Sequence, residues 1–454
     1  MMVRLAVVSI LLLAVPNINS APVHPSRECK AGLHVFLTVN SIANNSIVNR
    51  LELNWVGATP SDGEWIGIFA SDPVTSGVTS FLERLDLNPS SGSDGFYVTK
   101  TMVENFATNS SELGFVSRCL NYHIGYVSSG GQVLASGCLR IEPTWMADMT
   151  GLGDQIIKDI FIPGTHDSGA YGNYDPILGD TLVIKYTVTQ DEDLLAQLIR
   201  GVRYLDIRVG YYGPQRAENV SGFWINHGAF QMHRLEKVLA QVKEFLANTE
   251  KEIVIFDVQE FPNGFTSIDI HHKLVQFLEQ EFSNYIIPRG ASDWNSKISD
   301  LMASGRIIIS YDDTDMVNAY PWIWRRVDHK WGNVRTTEDL FAYLSSLNSN
   351  PPLLSAWSAM AELTPTAWDV VTDELGGLRK MADSVNRNVT TWYQGSWGQT
   401  ANVVAVDFYR GSDIIGTAIE WNKQRINGRI NCVNRWERNY LRRRLFQFFQ
   451  FKFF

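Results

Sequence analysis

The stretch Ile157-Lys-Asp-Ile-Phe-Ile-Pro-Gly-Thr-His-Asp-Ser-Gly169 runs from an apolar segment directly into a cluster of reactive side chains. Its first six residues predict a short β-strand, and Pro163-Gly164 predicts the end of that strand. Residues 165–168 then stand at the C-terminal end of a strand, where parallel α/β folds collect catalytic groups. We expect Gly169 to let the backbone turn away sharply. His166 is therefore a candidate catalytic residue whose partners must come from elsewhere in the chain.

Two later strands offer partners for this histidine, which alone would more often be a structural residue. The first, within residues 201–209, carries Asp206 and Arg208, which are two residues apart and so project from one face of the strand. The second, within residues 223–228, ends in His227. Together these side chains offer a base, an acid and a fixed cation, which indicates a catalytic site rather than a structural histidine.

These motifs resemble the X region of phosphatidylinositol-specific phospholipase C, in the same order and with a compatible spacing. The chain most resembles the group called phospholipase C X-domain-containing proteins, over roughly residues 146 to 430. Besides the three motifs, the resemblance rests on residues 252–260, 306–312, 402–408 and 414–422.

The resemblance implies an α/β fold, an irregular and incompletely closed barrel of TIM type. Apolar residues at helical spacing within residues 234–248 and 268–282 predict amphipathic helices between the strands. Strand, helix and strand in repetition indicate parallel strands joined by right-handed crossovers. In such a barrel the last strand lies beside the first, so Asp407, after the apolar residues 403–406, should reach His166 and orient its ring. The alternative is that Asp407 only caps the helix that follows.

The chemistry implied by the resemblance is cleavage of a phosphodiester next to an inositol 2-hydroxyl. His166 would take the proton from that hydroxyl, and His227 would protonate the departing diacylglycerol oxygen. Arg208 would contact the non-bridging phosphate oxygens, because a planar guanidinium matches phosphate geometry. Either Asp206 or Asp167 would hold His227 protonated, and the sequence leaves that choice open. The implied intermediate is an inositol cyclic phosphate.

The chain departs from parts of the family pattern. Arg208 stands where calcium-dependent relatives have a carboxylate, and Asp167 stands where they have an asparagine, so we expect the metal-independent, bacterial-like mechanism, with no metal or other cofactor. Among the candidate substrate-binding residues, Gln259 stands where bacterial relatives have a lysine, and Tyr311 ends a strand without their arginine. Asp257 is a third candidate, and like Tyr311 it is equally compatible with a structural role.

Two other functions stay open on the sequence. A metal-dependent glycerophosphodiesterase, or a related lipid phosphodiesterase, also uses two histidines on a TIM barrel, but its Glu-x-Asp metal strand corresponds poorly to Asp206-x-Arg208. A lipid-binding protein without turnover is the non-enzymatic alternative. The intact set of His166, His227 and Arg208 argues against that alternative.

Composition limits the class of partner. The chain has 454 residues, a formal charge of -9 and a pI near 5.5. An acidic chain of this kind argues against a nucleic-acid partner, because phosphate backbones attract basic surfaces. We expect a phosphoinositide or a lipid of the glycosyl-phosphatidylinositol type, met through a transient and local contact with a membrane surface.

The first 20 residues have the order of a secretory signal peptide. Arg4 is followed by the apolar residues 5–15 and by a small residue, Ser20, before Ala21. An uncleaved anchor is the alternative. No later stretch reaches the roughly 18 apolar residues of a membrane helix, so we expect a secreted, extracellular protein.

Secretion would permit disulfides and N-linked glycans. Cys119 and Cys138 flank a predicted hairpin, and we expect them to pair; Cys29 and Cys432 are left to pair with each other or to stay as free thiols. Four asparagines have the glycosylation sequence and are expected acceptors if they lie on surface loops: Asn44, Asn109, Asn219 and Asn388.

The pattern of the chain changes near residue 145. Residues 30–142 contain short alternating runs separated by clusters of Pro, Gly, Ser and Asn, which indicates a β-sandwich. We therefore predict a signal peptide at 1–20, a β-sandwich domain at 21–145 and an X-like barrel at 146–435. Residues 436–454 form a basic and aromatic tail of unknown role, whose composition suits a membrane interface.

Overall fold

The computed structural model describes residues 32–43, 49–104, 110–172, 174, 179–213 and 220–428. Several sequence predictions lie outside these residues: the signal peptide, the tail at 436–454, the pair Cys29 and Cys432, and the sequons at Asn44, Asn109 and Asn219.

The N-terminal part of the chain folds into two antiparallel sheets. Their strands are β1 (His34–Val39), β2 (Arg50–Val56), β3 (Trp65–Phe69), β4 (Glu83–Asp86), β5 (Gly95–Met102), β6 (Arg118–Val127) and β7 (Val133–Ile141). One sheet has the order β1-β2-β5 and the other β4-β3-β6-β7. Buried residues of both sheets, such as Leu53 and Ile68, belong to one apolar cluster, as in a β-sandwich. These strands lie within residues 30–142, where the sequence predicted short alternating runs, and β4 is a short, half-exposed strand among them.

A disulfide joins the two strands of the hairpin formed by β6 and β7. The strands pair antiparallel, and Cys119 is bonded to Cys138 with their Cα atoms 5.7 Å apart. The predicted pairing of these two cysteines is therefore confirmed.

The rest of the described chain is built on parallel strands. These are β8 (Ile162–Thr165), β9 (Tyr204–Tyr211), β12 (Val254–Glu260), β13 (Ile307–Tyr311), β14 (Trp324–Arg325), β15 (Asp328–Trp331), β16 (Trp357–Met360) and β17 (Val403–Val406), with β10 (Phe223–His227) and β11 (Phe230–Arg234) as a hairpin on β9. Their order is β14-β13-β12-β9-β8-β17-β16-β15, so the last strand pairs with the first. Because β14 and β15 stand at the two ends of this order, the barrel is open between Arg325 and Asp328. The predicted irregular and incompletely closed α/β barrel is confirmed.

Helices cover the barrel and connect its strands. They are α1 (Pro73–Ser76), α2 (Ser110–Leu113), α3 (Trp145–Asp148), α4 (Leu182–Thr187), α5 (Leu194–Arg200), α6 (Leu235–Asn248), α7 (Ile268–Phe282), α8 (Ile298–Ser304), α9 (Thr314–Ala319), α10 (Thr337–Ser349), α11 (Ala367–Thr372), α12 (Leu378–Gln394) and α13 (Ile414–Ile426). Short 3₁₀ turns occur at Pro89–Ser91, Leu152–Asp154, Ile157–Asp159, Asp293–Asn295, Ser396–Gln399 and Tyr409–Gly411. Both predicted amphipathic helices are present as α6 and α7. Across the part of the chain that the structure describes, every helix is too short or too polar to span a bilayer.

The first barrel strand differs from its prediction. Residues 157–159 form a 3₁₀ turn, and β8 begins at Ile162 and includes Pro163-Gly164 instead of ending there. The carbonyl of Pro163 accepts a hydrogen bond from the Arg203 backbone at 2.9 Å, so the residue still contributes to the sheet. Gly164 is required by close packing, since a Cβ there would lie 2.7 Å from Cδ1 of Tyr204.

The sequon at Asn388 lies inside α12, where its side chain is exposed and donates a hydrogen bond to the Ser384 carbonyl. The condition set for glycosylation, a surface loop, is therefore not met at this position. The following Thr390 is buried and bonds to the Asn386 carbonyl within the same helix.

Candidate active site

A cavity of about 610 Å³ opens at the C-terminal ends of the barrel strands. In parallel barrels this end is where catalytic side chains gather. The polar groups that line it include His166, Arg208, His227, Gln259, Glu362 and Asp407. The cavity therefore contains most of the side chains that the sequence singled out.

His166 follows β8 and is held against the end of β17. Its backbone N–H donates to the Val406 carbonyl at 3.1 Å, and its Nδ1 lies 2.8 Å from Oδ1 of Asp407. The contact expected between these two residues, 241 positions apart in the chain, is present. A carboxylate at Nδ1 fixes the ring orientation and keeps the proton on that nitrogen.

Arg208 reaches the other nitrogen of the same ring. Its Nη2 lies 2.6 Å from Nε2 of His166 and also donates to Oδ2 of Asp206 at 3.2 Å. Its Nη1 donates to Oε2 of Glu260 at 3.4 Å. Because a guanidinium can only donate, the contact with Nε2 is a hydrogen bond only when that nitrogen carries no proton. The arrangement therefore favours a neutral His166 with its proton on Nδ1.

Opposing charges act on the pKa of His166. Burial lowers this pKa, but the negative charges of Asp407 and Glu362 outweigh burial and raise it above its ordinary value. Arg208 acts against protonation, because two cations cannot share the hydrogen bond at Nε2. The contact at Nε2 keeps the ring neutral while Arg208 stays in place, and the two carboxylates make the ring a strong base once Arg208 releases that nitrogen.

His227 ends β10, on the hairpin beside the barrel, and faces His166 across the cavity. The ring centroids are 6.4 Å apart with the planes at 88°, and Nδ1 of His227 donates to the Thr187 carbonyl at 3.0 Å. Burial, together with the positive charge of Arg208, lowers the pKa of His227 to about 3. His227 is therefore neutral in the protein at physiological pH.

Neither candidate carboxylate is bonded to His227, so the structure does not support the expectation that Asp206 or Asp167 holds it protonated. Oδ2 of Asp206 accepts from the Asp167 backbone at 2.9 Å and from Arg208. Burial raises the pKa of Asp206, but Arg208 and the nearby histidines outweigh it and lower this pKa to about 2. Burial raises the pKa of Asp167 to about 8, so this residue is mainly protonated at neutral pH. Asp206 is thus the anion that fixes Arg208.

The turn after β8 is made differently from the expectation. The left-handed backbone conformation is at Asp167, with φ of 36°, and not at Gly169. Gly169 is required for close packing, because a Cβ there would lie 2.8 Å from Cγ2 of Ile225 on β10. This packing brings the hairpin that carries His227 next to the first barrel strand.

The three candidate substrate-binding residues have different surroundings. Gln259 lines the cavity, and its Nε2 donates to Oδ2 of Asp257 at 2.8 Å and to the Val327 carbonyl at 2.9 Å. Asp257 is fully buried, where it also accepts a hydrogen bond from Tyr204 at 2.7 Å. Tyr311 is buried and its hydroxyl contacts Nδ1 of His271 at 2.9 Å, which favours the structural role that the sequence left open.

Two residues of the cavity were missed by the sequence analysis. His329 lies in β15, and its Nε2 is 2.5 Å from the hydroxyl oxygen of Tyr204. The sequence around it has no apolar pattern that would indicate a strand. Glu362 comes two residues after the end of β16, and Asp407 comes directly after β17, so an acidic residue just beyond a strand was a signal that the sequence did contain.

Comparison with known proteins gives the family to which this part of the chain is similar. Residues 160–312 match the family model described as "Phosphatidylinositol-specific phospholipase C, X domain". The chain is similar to PI-PLC X domain-containing protein 1 of Homo sapiens, at 26% identity over 326 residues that cover 65% of this chain and 98% of that protein. PI-PLC X domain-containing protein 3 of Homo sapiens is 26% identical over 306 residues, which cover 61% of this chain and 92% of that protein.

Among solved structures, phosphatidylinositol-specific phospholipase C from Listeria monocytogenes is similar, with a TM-score of 0.48 at 19% identity, covering 62% of this chain and 98% of that chain. The family model and the two human relatives are sufficient to identify the domain without it. Residues 160–312 thus match the phosphatidylinositol-specific phospholipase C X domain, and the chain is similar to PI-PLC X domain-containing proteins.

Proposed function

We propose that this protein is a secreted phosphoric diester hydrolase of the phosphatidylinositol-specific phospholipase C type. Its substrate would be a phosphoinositide or a glycosyl-phosphatidylinositol. The observation that carries the proposal is the placement of His166 between Asp407 and Arg208, with His227 across the same cavity. A base, a cation and a second histidine in one cavity are the groups that phosphodiester cleavage requires.

The first step is proton removal by His166. In the proposed reaction the phosphate attracts the guanidinium of Arg208, which frees the lone pair on Nε2 of His166. Nε2 takes the proton of the inositol 2-hydroxyl as its oxygen attacks phosphorus, and Asp407 stabilises the imidazolium through Nδ1. The new P–O bond closes a cyclic phosphate.

The second part of the step is protonation of the leaving group. The P–O bond to diacylglycerol breaks, and His227 gives a proton to the departing oxygen. Because the His227 ring is neutral in the protein without substrate, it must take up a second proton from solvent when the substrate binds. A phosphodiester carries one negative charge, and such a charge near the imidazole raises its pKa.

The mechanism is proposed to need no metal ion. Arg208 already places a permanent positive charge at the cavity, with its side chain fixed by Asp206 and Glu260. A guanidinium in that position repels a divalent ion. It also replaces a carboxylate that could serve as one of the about six to eight oxygen ligands that Ca²⁺ needs.

Exposed apolar side chains near the cavity support contact with a membrane surface. Phe230 and Trp331 line the cavity and are 47% and 51% exposed. Trp368 and Val371, on α11, are 69% and 70% exposed, and α11 also contributes Val370 to the cavity wall. Exposed aromatic and aliphatic groups around an entrance suit a lipid interface.

Secretion and the division into domains stay proposals. The disulfide between Cys119 and Cys138 supports an oxidising compartment, because such bonds are rare in the cytosol. The change from antiparallel to parallel strands between β7 and β8 supports a β-sandwich domain at 21–145 followed by a barrel domain at 146–435.

Turnover of phosphatidylinositol vesicles by the purified protein tests the proposed function. We expect release of inositol cyclic phosphate and diacylglycerol by the parent protein and loss of both products in the double variant His166→Ala, His227→Ala. Vesicle binding without release of either product would instead support the lipid-binding alternative. Activity restored only by divalent metal would support a glycerophosphodiesterase-like mechanism.

A further inference from the structure

Glu362 lies level with the two central residues of the site. Met360 of β16 pairs with Ala405 of β17, and the Ala361 backbone N–H donates to the Ala405 carbonyl at 2.8 Å. Continued by two residues, this register sets Glu362 beside Asp407. On the other side of β17, Val406 pairs with Thr165 of β8, which sets Asp407 beside His166. Residues that are level with one another on neighbouring parallel strands point to the same face of the sheet. The side chains of Glu362, Asp407 and His166 therefore form one row at the barrel mouth.

The carboxyl group of Glu362 is buried and has no hydrogen-bond partner. The residue is 4% exposed, and both carboxyl oxygens are enclosed without a donor. Asp407 bonds to His166, and Asp206 bonds to Arg208. The carboxyl oxygens of Asp167 also lack a hydrogen-bond donor, but one of them lies 3.7 Å from Nε of Arg208. Leaving a buried carboxyl unpaired costs about 1–3 kcal/mol or more, so such a group in a catalytic cavity indicates a role in the reaction.

We propose that Glu362 is a positioning residue whose buried carboxyl, in register with Asp407 and His166, stabilises the imidazolium that forms when His166 takes a proton. It acts through charge and not through a hydrogen bond. The proposal rests on the proposed function, because a base that must hold a proton during turnover gains from a second nearby anion.

The charges around Glu362 are consistent with this role. Burial raises the pKa of Glu362 to about 7, while His166 and Arg208 act to lower it and Asp407 and Asp206 act to raise it. The phenol of Tyr343, on α10, also faces the cavity. When His166 becomes charged, ionisation of Glu362 becomes easier, and the resulting anion in turn favours the charged ring. The pKa of His166 carries the corresponding contribution from Glu362.

NMR titration of the histidine rings tests the inference without any substrate. Removal of a nearby anion disfavours an imidazolium, so Glu362→Gln should lower the pKa of His166 by roughly 1 unit. Glu362→Asp keeps the charge and should restore most of the shift. The matched control is Asp312→Asn, which removes a carboxylate of the same cavity that is paired with Arg326. This control should leave the pKa of His166 unchanged.

The pH dependence of kcat/KM links the titration to the reaction. A base works in its neutral form, so Glu362→Gln should move the acidic limb of the profile to lower pH, and Glu362→Asp should return it toward the parental position. An unchanged pKa of His166 in Glu362→Gln, or an equal shift in Asp312→Asn, would overturn the inference. So would a shifted titration with an unmoved acidic limb. A parent protein without turnover would overturn the proposed function while the titration still decided the role of Glu362 in setting the pKa.

Discussion

The two histidines of the site lie in regions that are built differently. His166 stands at the centre of the parallel sheet, where Asp407 and Arg208 fix both of its ring nitrogens. His227 stands on an antiparallel hairpin, and the bond that orients its ring goes to a backbone carbonyl of α4. In the proposed mechanism, the base side at His166 is thus complete in the protein alone, whereas the acid side at His227 has its orientation but not its charge. The proposal therefore requires that substrate binding supplies the negative charge that the acid side lacks.

Removal of either ring should give the largest effects and tests whether the two sides are equally necessary. His166→Ala and His227→Ala should each lower kcat by roughly 10²–10⁴-fold, because a positioned acid or base contributes that much. The measurement is release of inositol cyclic phosphate from vesicles, with thermal melts as a control for folding. Near-parental turnover of either variant would contradict the pairing of the two rings.

Arg208 touches the base side directly and lowers the pKa on the acid side, so its removal tests whether one cation serves both. Arg208→Ala should lose roughly 10²–10³-fold in kcat, as expected for a fixed donor to a charged transition state. Parental activity should persist in excess EDTA, and added calcium should not rescue the variant. Activity that is abolished by EDTA and recovered with calcium would contradict the metal-free mechanism.

Asp407→Asn changes the base side alone. The amide of an asparagine can donate to Nδ1 of His166, which would place the ring proton on Nε2 and block both the contact with Arg208 and proton removal from substrate. We expect a loss of roughly 10–100-fold in kcat, the usual cost of losing a partner that orients an imidazole. A parallel assay of Asp312→Asn controls for the loss of a carboxylate from the cavity. Equal activity of the two variants would show that Asp407 does not orient the base.

The smallest expected effect is on stability and concerns the acid side. The folded protein lowers the pKa of His227 to about 3, so between that pH and about 6.5 the unfolded chain binds a proton that the folded site excludes. The exclusion of this proton therefore decreases the free energy of unfolding of the protein as pH falls below 6.5, by at most about 2 kcal/mol at pH 5. His227→Asn should show a smaller drop in Tm between pH 7.5 and pH 5 than the parent. An identical drop in both proteins would show that His227 is not kept neutral by folding.

The base side was predictable from the sequence, and the acid side only in part. Asp407 could be assigned to His166 because the last strand of a parallel barrel lies beside the first. The strand that ends in His227 was also predicted, but its antiparallel pairing with β9 was not, because periodicity does not determine strand direction. The expectation that a carboxylate holds the acid protonated is not supported, because the hydrogen bond of His227 goes to the Thr187 carbonyl of α4.

Details of side-chain direction set a further limit. The strand at Tyr311 was predicted correctly, but Ser310 faces Asp257 inside the barrel, so alternation turns Tyr311 outward. Gly164 and Gly169 are required by packing against Tyr204 and Ile225, which no local pattern contains.

The opening of the barrel between Arg325 and Asp328 determines which amides should exchange first with solvent deuterium. Local opening of a sheet starts at its free edges, and here the edges are β14 and β15. In the strand order, β8 and β9 lie in the middle, three strands away from each edge. Fraying must therefore pass through β13 and β12, or through β16 and β17, before it reaches the backbone that carries His166 and Arg208. An open barrel can therefore unfold locally at its free edges while the amides of the strands that hold the base and the cation stay protected from exchange.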